Sequence, residues 1–238
     1  NQVDMLPLFG GSGCRKGDFK KLIAEELGVE VDAVCGMDLY LYNRMKPSVW
    51  GADNEFISCP QLDDLQCAYT SLTGFLAGAD DHAVNVFACF DNEEVGSGTK
   101  QGAASTFLHD TLYRTNLCLG KGEEEFYRAA SKSFMLSCDN AHAVHPNHPE
   151  KTDEGNCVYI NEGIVVKSHA GQKYTSDAVS IAVFRGICEE AGVPLQFFAN
   201  RSDMAGGSTL GNIAMSQVSM NSIDIGLPQL AMHSSFET

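Results

Sequence analysis

The chain has 238 residues, 44% of them hydrophobic, which is enough apolar material for one large α/β domain or two small ones. Its 31 acidic residues outnumber its 16 basic ones and give a formal net charge of −15 at pH 7. This charge repels phosphate backbones and anionic lipids, so neither nucleic acid nor a membrane surface is expected as a partner.

Nine cysteines are spread singly along the chain, without a CxxC pair. Cys89 and Cys188 lie inside apolar stretches, where a reduced thiol packs as a small core residue. No apolar run approaches the ~20 residues that a membrane span requires, and no signal peptide is recognised at the start. These features predict a reduced, cytoplasmic protein.

The first half of the chain alternates helical and strand-like patterns. In the helical pattern at 62–78, Asp63 and Asp64 fall in the first turn, where the helix dipole alone favours carboxylates. The stretch VNVFACF has the continuous apolar character of a strand buried on both faces. The predicted elements are a helix at 17–28, a strand at 33–43, a helix at 62–78 and a strand at 84–90.

The second half continues the alternation. The predicted elements are helices at 99–117, 120–138 and 176–194, a strand pair at 157–161 and 163–170, a strand at 195–200, and a last short strand that turns into a helix. Strands and helices of these lengths favour an α/β fold in which a mixed central sheet is sandwiched by helices.

Acidic residues follow the VNVFACF strand at once, as Asp91, Glu93 and Glu94. Such a cluster taken alone is more often a solvated turn than a catalytic site. However, ligands of open α/β sheets bind at the carboxyl ends of strands, and two similar junctions exist, at Asp139 and at His233. Carboxylates and imidazoles that converge from separate strand ends suit zinc, manganese or cobalt.

Two ions sharing one carboxylate would lie about 3.5–4 Å apart, as in co-catalytic hydrolases. The chemistry then also requires an unligated carboxylate beside a ligand, to take the proton from the metal-bound water. The adjacent residues Glu93 and Glu94 supply one of each.

Other constellations are weaker. His142, His145 and His148 have metal-ligand spacing, but Pro146 interrupts any regular helical face. The segment GGSTLG at 206–211 lacks the lysine of a phosphate-binding loop and is better explained as a tight turn with exposed N–H groups. No GxSxG motif supports a covalent hydrolase.

Several motifs together resemble the aspartyl aminopeptidase family of metallo-aminopeptidases. They are LDDLQCAYTS (62–71), FDNEEVGS (90–97), DNAHAVHPNHPEK (139–151), GIVVKSHAGQKYTSDA (163–178), GGSTLG (206–211) and DIGLPQLAMHS (224–234). Their order and approximate spacing match the family from about residue 55 to residue 234. The resemblance implies a catalytic domain of the zinc-exopeptidase (phosphorylase/hydrolase-like) type.

The resemblance also implies roles for individual residues. Asp63 is the carboxylate that bridges both metals, and Glu94 and His233 are ligands of one of them. Asp139 is a ligand of the other metal. Glu93 is the general base that activates a metal-bridging water to attack the scissile carbonyl. The implied cofactors are two divalent ions, zinc first, with manganese or cobalt as alternatives.

A further group of residues matches family positions that contact substrate. These are His142, Lys167, Tyr174, Gly206, Gly207, Ser208 and Thr209. The lysine is a suitable partner for an acidic side chain, but some relatives prefer neutral residues. The N-terminal residue removed is therefore expected to be Asp, Glu or a neutral one.

The chain departs from the family in its first part. An HTDSP-like motif, which carries a metal-binding histidine in the family, does not occur. Residues 1–50 are interpreted as the end of an inserted dimerisation domain with the return into the catalytic domain, and residues 51–238 as the C-terminal part of that domain. The chain thus resembles a C-terminal portion of a protein nearly twice its length, and its Asp139 site lacks the histidine.

Two functions remain open at this point. The first is an aminopeptidase that acts on peptides and, as a full-length family member, assembles into a homo-dodecamer. The second is an inactive fragment or paralogue that serves as an assembly or metal-binding module. Metal analysis combined with a peptidase assay distinguishes them.

Overall fold

The computed structural model describes residues 3–78 and 82–238, in two compact units, Asn1–Tyr42 and Asn43–Thr238. In the first unit, α1 (Asp18–Leu27) ends at Gly28, whose φ of 64° turns the chain and directs its N–H to the carbonyls of the last turn. The helix predicted at 17–28 is confirmed. The assignment of residues 1–50 to a dimerisation domain stays a prediction.

The strand predicted at 33–43 is wrong. A short 3₁₀ turn, Val31–Ala33, comes first, and the backbone up to residue 43 forms no ladder. Most of these side chains are exposed, so the alternating pattern does not correspond to one buried and one exposed face. In the described part of the chain, no strand pairs with this segment.

The second unit contains most of the regular structure. In chain order it consists of β1 (Ser48–Trp50), β2 (Phe56–Ser58), α2 (Leu62–Ala77), α3 (Phe107–Cys118), α4 (Glu123–Lys132), β3 (Phe134–Cys138), β4 (Ala141–His142), β5 (Ile164–Ser168), α5 (Ala178–Ala191), β6 (Leu195–Ala199), α6 (Leu210–Ala214), β7 (Asn221–Gly226) and β8 (Pro228–Gln229).

Four of these strands form a mixed sheet in the order β3-β7-β5-β6. The pairs β3/β7 and β5/β6 are parallel, whereas β5 and β7 run antiparallel. Helix α5 covers the sheet, because Phe184 and Cys188 pack against Val166, Ile223 and Ile225. The predicted fold class, α/β with a mixed central sheet flanked by helices, is confirmed.

Helices α2 and α5 confirm the predictions at 62–78 and 176–194. In α5, the Asp177 side chain accepts a hydrogen bond from the Ser180 N–H at 2.8 Å and caps the helix. The strand predicted at 195–200 corresponds to β6.

The predicted helix at 120–138 ends early, and its last part is strand β3. Helix α4 stops at Lys132, and Phe134–Cys138 pairs in register with β7. A five-residue apolar run is compatible with either state, and the parallel partner that decides it lies far along the chain. The predicted helix at 99–117 likewise forms only from Phe107 onwards.

Three other predicted elements are absent. Residues 84–90 form no strand, because no described segment lies beside them as a ladder partner. Val84 and Val86 are 66% and 50% exposed rather than buried. Residues 157–161 also form none: the Gln196 side chain, rather than a strand, hydrogen bonds the N–H and C=O of Tyr159. After β8 the chain turns instead of forming a helix, and Glu237 bridges back to Cys59.

All nine cysteines are free thiols, as their scattered positions predict. No helix within residues 3–78 and 82–238 is both long and apolar enough to cross a membrane.

Candidate metal centre

Asp63 lies at the non-helical start of α2. Asp63 and Asp64 have φ/ψ of −84°/112° and −116°/31°, so regular helix geometry begins only after them. The Asn140 side-chain amide donates to the Leu62 carbonyl at 2.9 Å, and its oxygen accepts from the buried Cys67 thiol at 2.9 Å. The start of α2 is therefore tied to the segment that follows β3.

Three predicted ligands of one metal converge from separate parts of the chain. Nε2 of His233 lies 3.2 Å from Oδ2 of Asp63 and 3.2 Å from Oε2 of Glu94. One ligand atom from each of the three side chains lies within 4.8 Å of the other two. Two carboxylates and an imidazole are donors that zinc accepts, with further positions left for other ligands.

A second group of carboxylates shares Asp63. Asp63, Asp64 and Asp139 also bring ligand atoms within 4.8 Å of one another. Asp139 directly follows β3 and so lies at the carboxyl end of a strand, where ligands were expected. The segment before it had been predicted as the end of a helix. Asp64 was predicted only as a residue of the first helical turn, and its place in this group is new.

The carboxylates raise one another's pKa. Burial, and then the charges of Asp139 and Glu94, raise the pKa of Asp63 to about 9. Burial and the charge of Asp139 raise the pKa of Asp64 to about 7. Burial and the adjacent Glu94 raise the pKa of Glu93 to about 7. Burial is the largest cause of each shift and neighbouring carboxylates add to it, so the group carries an excess of negative charge that divalent cations would offset.

The residues present fit such ions. The oxygens Oδ1 of Asp63 and Oδ1 of Asp64 are buried without a hydrogen-bond partner among the described residues. Unsatisfied buried carboxylate oxygens are costly, and metal coordination is one of the few arrangements that satisfies them. The Asp63 side chain is only 3% exposed, whereas that of His233 is 63% exposed, so the centre opens to solvent on the imidazole side.

Lys167 is buried next to this centre. Its ammonium donates to the main-chain oxygens of Asp139 at 2.9 Å and Asn140 at 3.2 Å, and to Oδ2 of Asp139 at 3.2 Å. Burial alone would lower the pKa of Lys167, but the Asp139 carboxylate, together with Tyr174 and Asp224, outweighs that effect and raises it. The lysine therefore carries its charge, and all three of its donors are engaged.

The other predicted substrate contacts lie on three separate segments. The Lys167 nitrogen is 5.3 Å from the centre of the Tyr174 ring, and His142 is exposed on β4. Gly207 and Ser208 are exposed, Gly206 accepts a hydrogen bond through its carbonyl from Lys173, and Thr209 is only 2% exposed. Their contacts with substrate stay predictions.

Glu237 is a site residue that the sequence did not reveal. Its Oε2 accepts from the Asp63 N–H at 2.9 Å, and its Oε1 accepts from the His233 N–H at 2.7 Å. One buried side chain thus holds the main chains of two predicted ligands. The only signal in the sequence was an acid four residues after the histidine, which carries little information without the fold.

Comparison with known proteins identifies the family of the chain. Residues 11–238 match the family model described as aminopeptidase I zinc metalloprotease (M18). The chain is 48% identical over 236 residues to a probable M18 family aminopeptidase 2 of Clostridium acetobutylicum, covering 98% of this chain and 54% of that protein. It is 38% identical over 222 residues to an aspartyl aminopeptidase of Caenorhabditis elegans, covering 91% and 47%.

Among solved structures, the S. cerevisiae mApe1 dodecamer matches with a TM-score of 0.75 and 26% identity, over 92% of this chain and 50% of that one. The chain spans about half the length of the curated relatives it matches. The family match extends over nearly all of this chain, including every predicted metal ligand. The chain belongs to the M18 family of aminopeptidase I zinc metalloproteases.

Proposed function

We propose that the protein containing this chain is a metal-dependent aminopeptidase that hydrolyses an acidic or neutral N-terminal residue from peptides. The observation that carries the proposal is the convergence of Asp63, Glu94 and His233 from three separate segments, with Glu93 directly beside them. The similarity to M18 aminopeptidases supports the same reaction class.

Asp63, Glu94 and His233 would hold one divalent ion, and Asp63 and Asp139 a second, with Asp64 close to the latter. Zinc bound there would polarise the scissile carbonyl and acidify water. The carboxylates of the chain set the local charge. The cluster has more acids than the neighbouring Lys167 and His233 can neutralise, so it attracts cations and the positively charged amino terminus of a peptide.

Glu93 is proposed as the general base. Burial is the first cause of its raised pKa, and a raised pKa helps the carboxylate to accept a proton from the attacking water and later return it to the leaving amine. Glu93 is partly buried and next to Glu94, so it lies beside the ion site without being one of the clustered ligands. These two adjacent acids thereby divide the chemistry, one moving a proton and the other binding the ion.

Lys167 and Tyr174 are proposed to line the pocket for the N-terminal side chain, together with His142. Lys167 is already paired with Asp139. All three donors of the ammonium are engaged, so an acidic substrate side chain would have to displace one of these contacts, whereas a neutral one would leave them intact. Both classes of peptide belong in the substrate panel for this reason.

The assembly of the whole protein is proposed from its relatives. One solved neighbour is described as a dodecamer, and we propose a homo-oligomer, a dodecamer as in that protein. Mass photometry of the whole protein would report twelve subunits per particle, and a stable monomer would contradict the proposal.

The direct test is Glu93→Gln in the whole protein. The amide keeps the shape but cannot act as a base, so kcat is expected to fall about 10²- to 10⁴-fold with bound metal unchanged. Asp91→Asn is the matched control, because Asp91 is an exposed acid of the same turn. Full turnover in the Glu93 variant would refute the general-base role.

The same experiment addresses the alternative of an inactive assembly or metal-binding module. In the described residues the second carboxylate group contains no histidine. Fewer than two metals per subunit, together with no peptide cleavage by the unmodified whole protein, would favour that module over the enzyme.

A further inference from the structure

Asp224 is a buried carboxylate that no step of the proposed reaction uses. It lies within β7, its exposed fraction is 0%, and its register partner on β3 is Ser137. Among the residues that the structure describes, no lysine, arginine or histidine forms an ion pair with it. A buried acid without a cation in direct contact is costly unless its oxygens are well hydrogen bonded, so its partners indicate what it does.

Both oxygens of Asp224 accept hydrogen bonds from loops. Oδ2 accepts from the Thr175 N–H at 2.5 Å and from the Thr175 hydroxyl at 2.8 Å. Oδ1 accepts from the Thr209 hydroxyl at 2.5 Å. The Asp224 N–H in turn donates to the Ser176 hydroxyl at 3.1 Å. The carboxylate therefore joins two chain segments that are distant in sequence.

These two segments carry the residues predicted to contact substrate. The Tyr174 segment, residues 169–177, contains Tyr174 immediately before Thr175. The glycine-rich segment, residues 206–211, contains Thr209. Because the Thr209 side chain is directed to Asp224 and only 2% of the residue is exposed, its hydroxyl holds the segment in place rather than facing solvent.

Two additional contacts lie nearer the surface, one from within the glycine-rich segment and one from the residue that follows it. Lys173 donates from Nζ to the Gly206 carbonyl at 2.7 Å, and the Asn212 amide donates to the Gln172 carbonyl at 3.0 Å. These side chains are more exposed than the carboxylate, so their hydrogen bonds compete with water and contribute less. Asp224 provides the buried connection between the segments.

The backbone of the glycine-rich segment lies directly against this carboxylate. A Cβ atom at Gly211 would lie 2.4 Å from the Ser137 hydroxyl and 2.8 Å from Oδ1 of Asp224. Only glycine allows this approach, because any side chain would push the segment away from β3 and β7. Both the sequence and the hydrogen bonds thus keep the segment close to Asp224.

We propose that Asp224 is a positioning residue that holds the Tyr174 segment and the glycine-rich segment at a set distance, and so shapes the wall that receives the N-terminal residue of the peptide. This inference rests on the proposed function, since the resemblance assigns the two segments to substrate. A carboxylate suits the role because its two oxygens can accept hydrogen bonds from several donors at once.

The test uses the whole protein with zinc bound and compares four variants. Asp224→Ala removes the acceptor, and Asp224→Asn restores part of it. Thr209→Val removes one donor while keeping the side-chain shape. It tests the same connection if Asp224→Ala does not fold. Ser222→Ala is the control, since its buried hydroxyl contacts Thr175 at 2.9 Å but does not bond the carboxylate.

The expected result is a rise of about tenfold in KM for Asp224→Ala and Thr209→Val, with kcat within about twofold and zinc content unchanged. Asp224→Asn should recover most of the loss, and Ser222→Ala should leave KM unchanged. An unchanged KM in folded Asp224→Ala and Thr209→Val would overturn the proposal. So would a fall in kcat with loss of zinc, or an equal rise in KM for Ser222→Ala.

Hydrogen–deuterium exchange separates this inference from the proposed function. Thr209→Val should increase exchange in residues 172–177 as well as in residues 206–211, because the connection between the segments is weakened. If the unmodified protein cleaves no peptide but this coupled increase occurs, the proposed function fails and the positioning role stands. If exchange rises only in residues 206–211, the positioning role fails whatever the activity.

Discussion

Glu237 offers a quantitative test of how the metal centre is held together. Its carboxylate is 3% exposed and accepts the main-chain N–H groups of Asp63 at 2.9 Å and His233 at 2.7 Å. Its own main chain pairs with Cys59 through hydrogen bonds of 3.1 and 3.0 Å. Asp63 and His233 are predicted ligands of the same ion, so this side chain prepares their relative position before an ion binds.

The perturbation is Glu237→Gln, which keeps the shape of the side chain. An amide has one accepting oxygen and one donating nitrogen, so one of the two N–H groups loses its acceptor and faces another donor. A buried donor left unsatisfied costs about 1–3 kcal/mol, which corresponds to a factor of about 5–150 in an equilibrium constant. Residues that orient metal ligands typically change metal affinity by about 10–100-fold, in the same range.

We therefore expect zinc affinity to fall about 10–100-fold, measured by competition with a chromophoric chelator at constant pH. Glu162→Gln is the control, because it removes the same charge from an exposed position. Zinc binding by the Glu237 variant as tight as in the unmodified chain would refute the reasoning. An equal loss in the Glu162 variant would show that only net charge matters.

Two further predictions concern the same region. Gly226→Ala should lower the free energy of unfolding by about 1–3 kcal/mol, because the new Cβ would lie 2.0 Å from the Asp139 carbonyl oxygen. Urea unfolding measures this loss. Gly186→Ala is the control and should lose no stability, because no atom lies within 4 Å of its new Cβ. In the metal-free chain, the raised pKa values of Asp63, about 9, and Glu93, about 7, mean that the folded state holds protons more tightly than the unfolded state. The free energy of unfolding should accordingly fall as the pH rises from about 5 to 9, Asp63→Asn should reduce this pH dependence, and bound zinc should oppose it. Unfolding measured at several pH values checks the direction of the change. A metal-free protein that becomes more stable over this range would contradict the prediction.

Local patterns were sufficient where a segment's structure depends on its own residues. The amphipathic periods of α2 and α5 predicted both helices, and the helix predicted at 17–28 ends at Gly28 in the structure as well. Phe134–Cys138, in contrast, was predicted as helix and is a strand. Its partner β7 decides that outcome and is remote in sequence, so no local pattern contains the information.

The same distinction applies to the candidate site. Motif order pointed to Asp63, Glu94, Asp139 and His233, and the fold brings Asp63, Glu94 and His233 together and places Asp139 beside Asp63. The strand expected before the acidic cluster does not form, because a strand requires a neighbouring strand to hydrogen bond.

The sequence by itself determined the kind of chemistry, since residue type and motif order point to carboxylate and imidazole ligands. Only the tertiary structure decided what holds those ligands. Glu237 reaches Asp63, Lys167 pairs with Asp139, and Asp224 joins two loops. Each role depends on a short distance between residues far apart in the chain, and such distances exist only after the backbone has folded.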